Sequence, residues 1–176
     1  SFESLGMLED AVVEDLTAAL LQIGFAAAHD AQQNKLSTEA LARDVLGKCI
    51  AWLVSEPGRA RVLFSQANDN PRAKAHRDAV IGQLAQALST FGVAYHHPSR
   101  PQVEVTPKHH ALAKLSAALL IGGTIESILN WVEGGIDLSL EEFTASVASF
   151  WVALGNSAVN MATEEAFTGT PLPRDV

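Results

Sequence analysis

The chain has 176 residues, 48% of them hydrophobic, and only one cysteine, so it is long enough to close one core over 1–176 without disulfides or metal, and a reducing, cytoplasmic setting is expected. Twelve Lys and Arg against twenty Asp and Glu give a formal charge of −8, and the dispersed Arg72, Lys74 and Arg77 make no basic face for a phosphate backbone. The apolar run Ala117 to Gly123 is shorter than a bilayer span and no signal peptide is recognisable, so a soluble protein without membrane contact is expected.

Ala and Leu are abundant, aromatic residues are few, and no segment alternates with a strand period, which predicts an all-α fold. The first helical pattern runs from about Leu5 to His29, with Leu8, Val12, Leu16, Leu20, Ile23 and Phe25 at helical spacings. Asp30 to Leu36 reads as a polar loop. Ser37 is the N-cap of a helix through Val45, Cys49, Trp52 and Leu53 that stops before Pro57. Pro57 opens a short helix through Val62, Leu63 and Phe64, and Asn70-Pro71 caps a long helix that reaches about Phe91.

Gly92 to Val105 loses the period and contains Pro98 and Pro101, so it reads as the longest loop. Thr106-Pro107 repeats the cap-plus-proline start. The helix that follows, to Val132, has apolar residues around nearly its whole circumference, too many for one stripe against one core, and two buried faces are expected. After Glu133 to Leu138, a capping box at Ser139-Leu140-Glu141-Glu142 starts a last helix through Phe143, Val147, Phe150, Trp151 and Leu154. A Gly-Thr-Pro-Leu-Pro tail ends the chain. The expected architecture is an orthogonal bundle of about six helices whose last two pair with a second copy as a dimeric four-helix bundle.

Catalytic signatures are missing: the sequence has no G-x-S-x-G elbow, no G-x-G-x-x-G loop, no H-E-x-x-H and no E-x-x-H pair. Catalysis is therefore disfavoured and no cofactor is expected. His96-His97 and His109-His110 flank the long loop, but adjacent helical residues point about 100° apart and no carboxylate or thiolate stands near, so they read as solvated histidines rather than metal ligands. Cys49 lies among apolar residues that raise its pKa and hide it.

Glu126 and Asn130 are polar positions on one face of an otherwise apolar helix. They are either anchors for a ligand or groups that meet solvent or a partner helix. Gly47, Gly82, Gly122 and Gly123 fall inside helical patterns at a cost, and for Gly122-Gly123 a close crossing or a kink is the expected compensation. Trp52, Phe64, Leu84, Leu88 and Phe91 are placed to line a cavity between the middle helices, with Cys49, Leu53, Ile121 and Ile125 completing the candidate pocket. Leu119, Gly122, Val147, Trp151 and Leu154 are the candidate dimer seam.

Three stretches carry a resemblance. Ser1-Phe2-Glu3-Ser4-Leu5-Gly6-Met7-Leu8 resembles the segment after the recognition helix of TetR-family transcriptional regulators, roughly Tyr-x-x-Phe-x-x-Lys-x-x-Leu, with Phe2 and Leu8 matching and Leu5 standing where lysine is usual. Ala118 to Leu140, with its Gly-Gly and Ile-Glu-x-Ile-Leu-x-Trp-Val-Glu-Gly-Gly, is similar to that family's last two helices and their connection, and Pro57 to Phe64 to its short pocket helix.

The resemblance implies the ligand-sensing, dimerising part of a transcriptional repressor, with a helix-turn-helix upstream of residue 1 as its only contact to operator DNA. A small apolar or amphipathic effector would then shift the spacing of two DNA-reading heads that must match half-sites roughly 34–36 Å apart. The rival expectation is an all-helical protein-interaction module with no small-molecule ligand.

Overall fold

Every described element is a helix: α1 (Phe2–Gln33), α2 (Thr38–Ser55), α3 (Arg59–Phe64), α4 (Pro71–His96), α5 (Pro107–Val132) and α6 (Leu140–Thr168). The computed structural model describes residues 1–56, 58–64, 71–96 and 105–168. Pro57, the cap assigned to Asn70, His97, Pro98, Pro101 and the Gly-Thr-Pro-Leu-Pro tail lie outside the described residues. Among the described residues the fold is all-α.

The caps sit where the sequence places them. Ser37 Oγ accepts from the Ala40 N–H at 3.2 Å, and Thr106 Oγ1 accepts from the His109 N–H at 3.3 Å. At α6 the box is reciprocal: Glu142 N–H donates to Ser139 Oγ at 3.1 Å and Ser139 N–H donates to Glu142 Oε2 at 3.0 Å. Each cap satisfies an N–H that has no partner within its helix.

Two boundaries differ from expectation. α1 continues through Asp30 to Gln33 because Ala31, 1% exposed, locks the last turn into the core, and the chain reverses only at Lys35 with φ 53°. α4 passes Gly92 and runs to His96. Its last turn is held by the stacking of Phe91 on Tyr95, centroids 5.5 Å apart, and by the Tyr95 hydroxyl bonded to Thr38 on α2 at 3.2 Å. Tertiary contact outweighs the weak local propensity there.

The core forms where α3 plugs the bundle. Phe64, Leu63 and Ile50 are each 1% exposed, and Leu46, Leu53, Val80, Ile121, Ile125, Ile128, Phe143 and Val147 close around them. The short α3 touches α1, α2, α4 and α5. Thr17, the buried polar side chain of this core, donates to Val13 O at 2.7 Å, so no hydroxyl is left unbonded.

The α5–α6 connection is fixed by both backbone and side chains. Gly134 has φ 81° and the Gly135 N–H donates to Asn130 O at 2.8 Å, the left-handed helix ending that favours glycine. Trp131 donates from Nε1 to Leu138 O at 2.8 Å and stacks on Phe143 with centroids 5.6 Å apart. α6 therefore leaves the turn at a defined angle to α5.

α1 and α4 are clamped at the other end. Asp10 accepts from Arg72 at 2.6 Å and pairs with His76, and Gly6 leaves room for the Arg72 guanidinium, which would stand 2.5 Å from a Cβ at that position. The His76 hydrogen bond, with Arg72 adding to it against a partial desolvation, holds the Asp10 carboxyl below the ordinary carboxylate range. A lowered folded pKa stabilises above the unfolded value of 3.8 and is lost as pH falls through the folded value. Acidification below about pH 4 is expected to speed amide exchange in the first turns of α1, and Asp10→Asn should remove that acid-dependent step; an unchanged exchange profile would separate the clamp from α1 order.

By length and composition, α1 and α5 are each apolar enough to cross a membrane, a property the short Ala117 to Gly123 run does not register. α5 packs Ala117, Ile121, Ile125 and Ile128 into the bundle. Less than a third of either apolar window is buried within the chain.

Candidate functional site

Beyond the Phe64 core, α2, α4, α5 and α6 separate around a cavity of about 180 Å³. Thr38, Leu41 and Ala42 come from the start of α2, and Leu88, Phe91 and Tyr95 from the end of α4. His109, Leu112, Ser116 and Leu120 come from the first half of α5, and Trp151, Val152, Gly155 and Val159 from α6. Among the described residues that line it, none is Asp, Glu, Lys or Arg. A charged guest would lose part of its hydration against the apolar walls without gaining an opposite charge from the described lining, which is costly.

The capping and packing already described put these side chains in place. α5 starts at Thr106-Pro107, so His109, Leu112, Ser116 and Leu120 fall on one face at helical spacing. On α6, Trp151, Gly155, Val159 and Ala162 do the same. Trp151 Nε1 donates to Thr124 Oγ1 at 2.8 Å, which orients the indole and ties α6 to α5 at the floor of the cavity.

Of the candidate pocket residues, the structure brings Leu88 and Phe91 to this cavity. Leu53, Phe64, Ile121 and Ile125 are buried in the core, with Leu84 packed against it, so they support the cavity from below rather than line it. Trp52 is covered by Arg59, whose guanidinium sits 4.2 Å above the ring and donates to Trp52 O at 2.5 Å. Cys49 packs between α2 and α1, its Sγ 3.6 Å from where a Cβ on Gly24 would stand. Burial pushes its thiol up to about 11, which withdraws the thiolate that nucleophilic work needs.

Glu126 and Asn130 lie on the exposed side of α5. Glu126 accepts from Arg77 of α4 at 3.3 Å, an ion pair whose carboxylate is largely in water, and neither residue reaches the cavity. The same face accounts for the glycines: nothing among the described residues lies within 4 Å of a Cβ built at Gly122 or Gly123, so no described helix crosses closely there.

The candidate seam divides. Leu119 is 57% exposed and Gly122 faces open space, whereas Val147 is buried in the core, Leu154 is half-buried, and Trp151 lines the cavity. Phe150, one residue from Trp151 and about 100° around the helix, is the most exposed of the large apolar side chains described on α6, at 71%. Leu115 and Leu119 on α5, and Phe150 and Met161 on α6, are large apolar side chains that no described residue covers.

Sequence reasoning missed Thr38, Tyr95, His109, Ser116 and Gly155. The His109 spacing to Leu112, Ser116 and Leu120 was the available signal, but a histidine at a helix start reads first as a solvated group. Among the described residues no group of three His, Cys, Asp or Glu is placed to hold a metal ion. Comparison with protein-family models, curated proteins and solved structures finds no match to this chain.

Proposed function

We propose that the chain is a ligand-sensing, homodimerising regulatory domain of the kind its resemblance to TetR-family repressors implies, working in the cytoplasm and reaching operator DNA through a helix-turn-helix ahead of α1. The observation that carries this reading is the cavity between four helices, whose described lining carries no charge and is apolar apart from the hydroxyls of Thr38, Ser89, Tyr95 and Ser116, the Asn156 amide and the His109 imidazole. Pockets of this character take small molecules. The uncovered apolar side chains of α5 and α6 supply a surface for a second copy, on which Gly122 and Gly123 allow a partner helix to approach closely.

α4 connects the two ends of the device. Leu88, Phe91 and Tyr95 near its C-terminus line the cavity, while Arg72 and His76 near its N-terminus grip Asp10 on α1. An effector that binds one setting of α4 more tightly shifts the population toward it, and the clamp carries that shift to the start of α1. Derepression is then a change in the separation of two heads.

Gly155 offers a direct test, because a Cβ there meets nothing within 4 Å and the residue lines the cavity. Gly155→Leu is expected to leave the unliganded chain at least as stable, since a glycine inside a helix costs up to about 1 kcal/mol. A screen of uncharged apolar compounds should raise the melting temperature of the wild-type chain and not that of the filled variant. Equal shifts in both proteins would place binding elsewhere, and no shift in either would remove the sensor reading.

A further inference from the structure

The polar groups around the cavity are not equivalent. The Thr38 and Tyr95 hydroxyls bond each other at 3.2 Å, the Ser116 hydroxyl donates to Ala113 O of its own helix at 3.1 Å, and Ser89 and the solvent-exposed Asn156 complete the polar lining without being tied to a cap. His109 differs. The Thr106 N–H donates to its Nδ1 at 3.0 Å, with the Thr106 hydroxyl 2.7 Å from the same nitrogen. A nitrogen that accepts a backbone N–H carries no proton, so in the neutral ring the proton is on Nε2. Among the described residues no partner bonds that nitrogen. The capping box that starts α5 thus also fixes the tautomer of a cavity-lining imidazole.

Size narrows the guest further. A cavity of about 180 Å³ is close to the ~150 Å³ engineered space that admits benzene. The space between the helices holds one ring with a short substituent, and the pocket is open on one side.

We propose that the cavity takes an uncharged molecule of single-ring size bearing one hydrogen-bond acceptor oxygen, such as an aryl or cyclic ketone, lactone or ether, and that His109 Nε2–H donates to that oxygen. This rests on the ligand-sensing reading above and goes further by naming the chemical class and the residue that selects it. The ring occupies the space between Leu88, Phe91, Leu120 and Trp151, and the oxygen faces the start of α5. Carboxylates and amines of the same size are rejected because no described lining residue carries a formal opposite charge to replace their hydration.

The test is calorimetric titration of the purified chain with acetophenone, isopropylbenzene, benzoate and benzylammonium. Acetophenone should bind about fivefold more tightly than isopropylbenzene, the usual worth of one hydrogen bond, and the two ions should not bind measurably. His109→Leu and His109→Glu both delete the donor, and the second keeps an acceptor for the Thr106 N–H and so keeps the cap. In both variants the ketone-to-hydrocarbon ratio should fall to about one. Equal binding of ketone and hydrocarbon by the wild-type chain, a preference that survives both substitutions, or tighter binding of either ion would overturn this ligand class while leaving a small-molecule site standing. Failure of all four probes would overturn the class and count against the sensor reading itself.

Discussion

Phe64→Ala is expected to destabilise the chain by about 3–5 kcal/mol, the range for truncating a fully buried phenylalanine where the surroundings relax only in part. Phe64 is 1% exposed and belongs to a six-residue helix that meets four of the other five. A helix that short has little stability of its own, so its ring is both the wedge that fills the centre and the reason α3 stays folded. The loss is a large part of the roughly 5–15 kcal/mol typical of a domain, and at this chain length it corresponds to a fall of about 6–20 °C in melting temperature. Thermal and urea unfolding should agree on it when both are run at one protein concentration, because a dimer's stability depends on concentration. A loss under about 1 kcal/mol would mean that α3 is not the keystone of the core.

Phe150→Glu is expected to convert a dimer into a monomer while leaving each protomer folded. The side chain is 71% exposed in the single chain, so its replacement removes little intramolecular packing. In a two-fold interface the substitution appears twice, placing two carboxylates in an apolar seam where each costs several kcal/mol to desolvate. Leu119→Glu on α5 should act the same way. Trp151→Glu is a poorer probe, because Trp151 donates to Thr124 and lines the cavity, and losing it damages the protomer as well. Light scattering should give twice the 18.7 kDa chain mass for the wild type and the single mass for Phe150→Glu. An unchanged dimer would move the seam off this face.

How far the sequence could be read depends on which physical signal each feature leaves. Caps and periods are local, so Ser37, Thr106-Pro107 and the Ser139 to Glu142 box locate their helices correctly. The end of α4 was not local. Gly92 reads as a break, and only the partners of Tyr95 on α2 and in its own helix carry the helix past it.

The cavity was legible in its composition and not in its membership. Leu88 and Phe91 were identified, but Leu53, Phe64, Ile121 and Ile125 are as apolar as any lining residue, and which apolar side chains meet one another and which meet a space is decided by the crossing of four helices. Glu126 and Asn130 illustrate the same gap. Their spacing placed them on one face, and only the packing of α5 against α4 and α6 decided that this face turns away from the cavity and is exposed in the single chain. His109 was passed over because its proton is set by a partner three residues back, a relation visible only once the cap is formed.

Native mass spectrometry of the purified chain under gentle conditions tests the central claim most directly, because it reads assembly and occupancy together. The account predicts a species of twice the chain mass, with added mass of a small neutral molecule that is lost from Gly155→Leu. A ligand-free monomer that stays monomeric as concentration rises, and gains no mass from uncharged single-ring compounds, would contradict it and favour an all-helical interaction module.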